Sequence, residues 1–211
     1  MARDPSRSRA ARKPPAEREA EIARAAVDLA LEQGLRAVTL RGVAARTGVA
    51  PALVGHYVPS MDDLVARTFA TIVRAELDEV TTLASAGRTP TERLVLLLTT
   101  ALDSRRSDVT VVWVEAWAAG RRNEPLASAV RAEMDAWHSV VRSIVDDGVA
   151  SAEFHASDTA AVSWQLLGMI DGLNAQALVH WGAASERTPL ALRAVAGMLG
   201  LRPEDLVSKI R

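Results

Sequence analysis

Residues 39–64 read TLRGVAARTGVAPALVGHYVPSMDDL, and this stretch decides the fold. Thr39 offers the side-chain oxygen of a helix N-cap ahead of a short run carrying Leu40, Val43 and Ala44, which Gly48 ends. Pro51 suits a first helical position, where its missing N–H costs nothing, and opens a second short helix through about Tyr57. Gly48 has no side chain and so permits a sharp turn between the two. Val43, Ala44, Val49 and Val54 are spaced to pack the helices together, and residue 44 must be small because they cross closely there. Pro51, Ala52, Leu53, Gly55 and His56 then turn outward, where the major groove of a duplex would lie. The pattern is a helix-turn-helix.

Working outward, a helix is expected from about Ala16 with Ile22, Ala26, Leu29 and Gln33 on one stripe and Gly34 as its stop. Ahead of it, residues 1–15 (MARDPSRSRAARKPP) are basic, rich in Ser and Pro and without periodicity, the composition of a disordered arm. Downstream, Ser60 with Asp63 caps a long helix from Met61 to about Ser85, and Thr89, Pro90 and Glu92 combine cap, first-turn proline and capping-box acid. Further helices are expected over about 108–119, 125–149, 157–181 and 189–199, with a last turn after Pro203. No segment alternates as a strand does. The expected fold is all-α: a basic arm (1–15), a three-helix DNA-binding domain (16–60), and a helical ligand-binding and dimerisation domain (61–211).

Composition agrees with helices. Of 211 residues, 49 % are hydrophobic and only 4 % aromatic, and Leu, Ala, Arg, Glu and Val dominate. The absence of cysteine excludes disulfides and thiolate metal sites. The net charge of −1 conceals a division: residues 1–57 carry ten Lys and Arg against six Asp and Glu, while the rest carries fifteen against twenty. A basic end on an acidic body suits a DNA-binding module attached to a domain that does not touch DNA. The basic N-terminus has no apolar run behind it, so it does not read as a signal peptide. The most hydrophobic stretch, 160–184, is interrupted by Gln165, Asp171, Asn174, Gln176 and His180 and reads as a buried interface helix, not a membrane span. A cytoplasmic protein without a membrane partner is expected. No nucleophile elbow, P-loop or H-E-x-x-H occurs, and His56, His138, His155 and His180 lack metal-ligand spacing, so neither catalysis, metal nor cofactor is expected. A helical adaptor that binds protein partners through a C-terminal groove is the competing class.

Ala44, Gly48, Val49, His56, Tyr57, Pro59, Ser60 and Leu64 stand in register with the signature of the TetR family, which the chain resembles over about residues 16–69. The resemblance implies Thr39 and Arg41 on phosphates, Tyr57 on the backbone, and Pro51, Ala52, Leu53, Gly55 and His56 toward base edges. Ala52 and Leu53 would meet thymine methyls, and His56 is the one polar reader. Two residues depart from the family pattern: Met61 replaces a phosphate-binding Lys, and Ala50 replaces a Ser or Thr cap. Affinity is therefore expected to lean on Arg41, Arg46 and the arginines of the arm.

In the C-terminal half Trp113 and Trp117 are i, i+4 neighbours, Trp137 lies beside Met134, and Trp164, Gly168 and Asp171 share one helix face. Aromatic walls with one carboxylate could cage an organic cation. Tryptophans at such spacing also fit a plain core or a pocket for an apolar or amphipathic effector. The segment WVEAWAAGRRNEPLASAVRAEMDAW and LLGMIDGL around Asp171 are similar to the branch of the family typified by the betaine-pathway repressor. A homodimer is expected because two half-sites must be held about one turn of DNA apart. Near 158–181 and 189–199, Gly168, Gly172, Ala175, Ala191, Ala194 and Ala196 let backbones approach and Leu190, Leu192 and Met198 add apolar area, a pattern that also fits packing within one subunit. The resemblance, which implies a four-helix bundle of the last two long helices across the dimer, assigns the interface to them. The resemblance implies a repressor released from operator DNA by a small-molecule effector.

Overall fold

The computed structural model describes residues 13–207, and every regular element among them is helical. Helix α1 (Pro15–Gln33) buries Ile22, Ala26 and Leu29 and stops at Gly34, whose φ of 83° only glycine adopts readily. A single 3-10 turn (Leu35–Ala37) leads to α2 (Leu40–Thr47). Thr39 caps α2 by accepting the Gly42 N–H at 3.0 Å. Gly48 takes φ 67°, and α3 (Pro51–Tyr57) follows with no side-chain cap from Ala50. Val43, Ala44 and Val54 are buried where the two helices meet. Most of the expected arm, with Arg3, Arg7, Arg9 and Arg12, lies outside the described residues, and α1 already begins at its last residue, Pro15.

Helix α4 (Met61–Ala84) is capped by Ser60, which accepts the Asp63 N–H at 3.1 Å. Its buried stripe (Leu64, Phe69, Ile72, Val73, Leu77, Val80) packs on α5 (Pro90–Ala101) and α7 (Glu124–Ala150). A part-buried polar link joins α4 to α7: the exposed Arg74 donates to the buried Glu133 at 2.7 Å. Helix α6 (Ser107–Gly120) crosses between α4, α7 and α1, and α8 (Thr159–Ala177) packs on α7 and α6. Helix α9 (Ala184–Met198) closes the bundle against α5 and α8, with α10 (Pro203–Val207) behind it. No described helix is long and apolar enough to cross a membrane.

Two helix boundaries differ from expectation. Helix α8 ends at Ala177, four residues short of Trp181, because His180 (φ 57°) and Gly182 (φ 79°) enter the left-handed region and the Trp181 N–H turns back to the Gln176 carbonyl. Helix α9 starts at Ala184, placing Pro189 inside it. Its first turn is tied to α8 by Arg187, buried and bonded to Asn174. The expected interface residues divide as well. Ala191, Leu192 and Ala196 point into the subunit core and cannot serve a dimer face. Leu190 and Ala194 are exposed, and a methyl added at Gly168 or Gly172 would meet nothing.

Candidate functional site

The helix-turn-helix presents a small convex face. Pro51, Ala52 and His56 are exposed, Leu53 is 37 % exposed, and Tyr57 is half-buried with its ring edge-on to His56. Thr39 and Arg41 lie beside them at the start of α2, and Arg41 has no ion pair among the described residues. Gly55 is the exception: a Cβ there would stand 3.4 Å from Leu40, so it faces α2 more than solvent. Arg46 differs too. Its guanidinium forks onto Glu32 of α1, one arm at 2.6 Å, with Asp28 at 3.6 Å, so it ties α2 to α1.

The second site is a cavity in the C-terminal bundle, about 590 Å³ of empty space partly open to solvent. Trp113 and Trp117 of α6, Met134 and Trp137 of α7, and Asp171 of α8 line it, as expected from their spacing. Glu76, Leu167, Ile170 and Asn174 line it as well. Phe69 braces Trp113 edge-on at 5.0 Å, and Trp117 tilts against Trp113 at 5.6 Å. The indole N–H groups of Trp117 and Trp137 are buried and have no acceptor among the described residues.

Two carboxylates enter this aromatic box. Burial pushes Glu76 up to about 7, against the pull of the Trp113 indole that donates to it at 3.2 Å and of the more distant Arg106. Burial alone pushes Asp171 up to about 6. Neither has a Lys or Arg nitrogen within 4 Å among the described residues. Two acids left without a cation in a low-dielectric pocket keep their protons to higher pH than solvated carboxyls do, because ionising them there is costly.

Trp164 and Gly168 do not belong to the box. Trp164 is 75 % exposed and meets the His138 ring on the outside of α7, while Gly168 opens to empty space. A helical wheel puts Trp164 in line with Asp171, but two turns separate them, about 10 Å along the axis. The pocket face of α8 is instead 167, 170, 171 and 174. Glu76 carried a signal that spacing alone contains: it is an acid one turn from Ile72 and one from Val80, inside the apolar stripe of α4.

Residues 22–68 match the family described as bacterial regulatory proteins, tetR family, and residues 90–200 match the BetI-type transcriptional repressor C-terminal family. The second match alone spans more than half of the chain. The chain belongs to the TetR family of transcriptional regulators. A curated relative, the HTH-type transcriptional regulator BetI of Rhizobium meliloti (strain 1021), is 29 % identical over 156 residues, covering 71 % of this chain and 74 % of the relative. Among solved structures, a transcriptional regulator from Saccharomonospora viridis in complex with choline superposes with a TM-score of 0.77 at 20 % identity, over 87 % of this chain and 98 % of that one. FadR from Bacillus subtilis in complex with stearoyl-CoA gives 0.68 at 17 %, over 84 % and 98 %. As a TetR-family protein with a BetI-type C-terminal half, the chain is a DNA-binding transcriptional regulator that responds to a small-molecule ligand.

Glu115 connects the regulator's two sites. It sits on α6 between Trp113 and Trp117, accepts the Arg36 N–H at 3.2 Å, and lies 3.6 Å from the Arg36 guanidinium. Gly34 makes room for it, since a Cβ there would come within 2.6 Å of the carboxylate. The helix that walls the cavity thereby also grips the turn before α2. Helix α4, bearing Glu76, runs to the end of α3 through Ser60.

Proposed function

We propose that this regulator is a repressor, dimeric on its operator, that releases DNA when an organic cation enters the tryptophan box. The observation that carries the reading is the pair Glu76 and Asp171, half-buried among three indoles with no Lys or Arg nitrogen within 4 Å among the described residues. Indole faces attract a quaternary ammonium through their quadrupoles, and two carboxylates add charge that water would otherwise screen. An acyl chain would leave both acids unmatched, a cost that disfavours a purely apolar effector. The choline complex of the Saccharomonospora neighbour and the BetI-type family description support the same chemistry.

A cation that draws Trp113 and Trp117 toward Glu76 and Asp171 shifts α6 against α4 and pulls Glu115 on the turn that positions α2. Release then follows from tighter cation binding in the arrangement whose recognition helices are wrongly spaced. The test is a gel shift on the intergenic DNA beside the gene. Choline or tetramethylammonium is expected to lower operator affinity, and the neutral isostere with tert-butyl in place of trimethylammonium is not. Equal release by both compounds, or by neither, overturns the cation. Failure to bind the DNA at low salt overturns operator binding.

Dimerisation is assigned to α8 and to the outer face of α9. Trp164 and Leu190 are exposed there with Gly168 and Gly172, a large apolar surface for an isolated subunit. On DNA, Leu53, Ala52 and Pro51 supply apolar contacts, His56 a polar one, and Thr39, Arg41 and Tyr57 hold phosphates. Arg46, already paired, contributes by fixing α2. Arg41→Ala is expected to weaken operator binding and to reduce the slope of log affinity against log salt by about one per subunit. A slope identical to wild type would remove Arg41 from the phosphate contacts. Glu115→Ala is expected to leave effector-free operator affinity within about twofold while cutting the effector-induced loss at least by half, out of a typical coupling of about 1–3 kcal/mol. Full release in that variant would assign the coupling to α4 alone.

A further inference from the structure

Arg187 is 8 % exposed, yet it lacks the partner that a buried guanidinium normally has. Its one hydrogen bond among the described residues runs from Nη1 to Asn174 Oδ1 at 3.2 Å. Among the described residues its Nε is buried with no acceptor, and no carboxylate oxygen lies within 4 Å. A guanidinium has five N–H donors in a planar fork shaped for an oxyanion. Arg187 lines a second cavity, about 720 Å³ of empty space partly open to solvent, together with Ser104, Ser107, Thr110, Asn174 and His180. Ser107 is the first residue of α6, a fourteen-residue helix with no side-chain cap, so the positive end of its dipole forms part of the wall.

The two cavities adjoin: Thr110 and Asn174 line both. Asn174 is fixed at each end of its amide, donating to the Ala101 carbonyl at 2.9 Å and accepting from Arg187. On one side of it stand the tryptophans with Glu76 and Asp171, and on the other the unmatched arginine. Asp103 also borders the second cavity, but Arg105 holds its carboxylate through backbone and side-chain bonds. It therefore does not neutralise Arg187.

We propose that Arg187 is the centre of an anion subsite and that the effector is zwitterionic, its cationic group in the tryptophan box and a tethered carboxylate or phosphate on the guanidinium. The zwitterion rests on the cation reading above, whereas the anion subsite stands on Arg187 itself. Polarity is then read twice: a bare cation fills half of the double cavity, and a molecule with both charges satisfies the arginine that the fold leaves unpaired. Lysine would not replace it, because an ammonium cannot offer the bidentate fork.

The experiment follows tryptophan fluorescence of the full-length protein during titration. The probes are a series of trimethylammonium carboxylates of increasing methylene length, each compared with its methyl ester, and phosphocholine compared with choline. In the wild type, one carboxylate length or phosphocholine is expected to bind at least about tenfold tighter than its uncharged-tail counterpart, and which does so identifies the oxyanion. In Arg187→Gln that ratio is expected to fall to about one, with tetramethylammonium affinity within about twofold of wild type. Arg187→Lys is expected to retain only part of the preference. The subsite is overturned if no zwitterion exceeds its counterpart in the wild type, a result that needs no variant to fold, or if the preference survives in Arg187→Gln. Tetramethylammonium that fails to bind the wild type sinks the cation reading separately. In that event the subsite stands only if acetate or inorganic phosphate binds the wild type and not Arg187→Gln, and falls otherwise.

Discussion

Gly148→Ala is expected to destabilise the protein by about 3 kcal/mol, which for a chain of this size lowers the melting temperature by about 6–12 °C. Gly148 lies buried near the end of α7, where the chain turns back and seats Phe154 directly on it. A methyl there would overlap the ring, with Phe154 Cγ only 2.6 Å away and Cδ2 and Cε2 nearer still. Phe154 is itself 2 % exposed and has nowhere to move. Phe154 lies in the turn that leads from α7 to α8, and α8 carries Asp171 and Asn174. Thermal unfolding of the variant, with Phe154→Leu added as a partial relief, checks the account. A single variant as stable as wild type would show that the ring shifts freely, and a double variant no better than the sum of its parts would move the cause elsewhere.

Affinity for tetramethylammonium is expected to rise about a thousandfold between about pH 5 and pH 8. Glu76 at about 7 and Asp171 at about 6 both lie above their ordinary carboxylate values, so each is protonated in the empty pocket at mildly acid pH. A cation binds the ionised form, and below its folded value each acid weakens binding about tenfold per pH unit. The stability of the empty fold runs the opposite way. Stability that these groups contribute below the unfolded carboxylate range is lost as pH rises through about 6 and then about 7. Calorimetry in buffers of different ionisation enthalpy should show proton release on binding near neutrality. The neutral tert-butyl isostere should show no rise. A flat pH profile for the cation would mean that neither acid faces it.

Much of this was written in the chain's local chemistry. The helix-turn-helix could be read residue by residue because its determinants are short-range: a Thr39 cap, a left-handed Gly48, and Val43, Ala44 and Val54 at helical spacing. Trp113, Trp117, Trp137 and Asp171 could be grouped because their helices present them at regular intervals. Trp164 was misplaced by the same reasoning, since periodicity gives a side chain's direction around an axis and says nothing of its height along a neighbouring helix.

By itself, then, the sequence determined an all-helical chain with a duplex-reading turn at one end and an aromatic, acid-bearing bundle at the other. Tertiary structure alone decided which groups share a pocket. Glu76 comes from α4 and reaches Trp113 across 37 residues, Glu115 reaches back to Arg36 across 79, and Arg187 stands beside Asn174 with no acid to meet it among the described residues. Local propensity fixes each helix separately. Only close packing brings their faces together, and the energy of a buried charge depends on what the other helices place beside it.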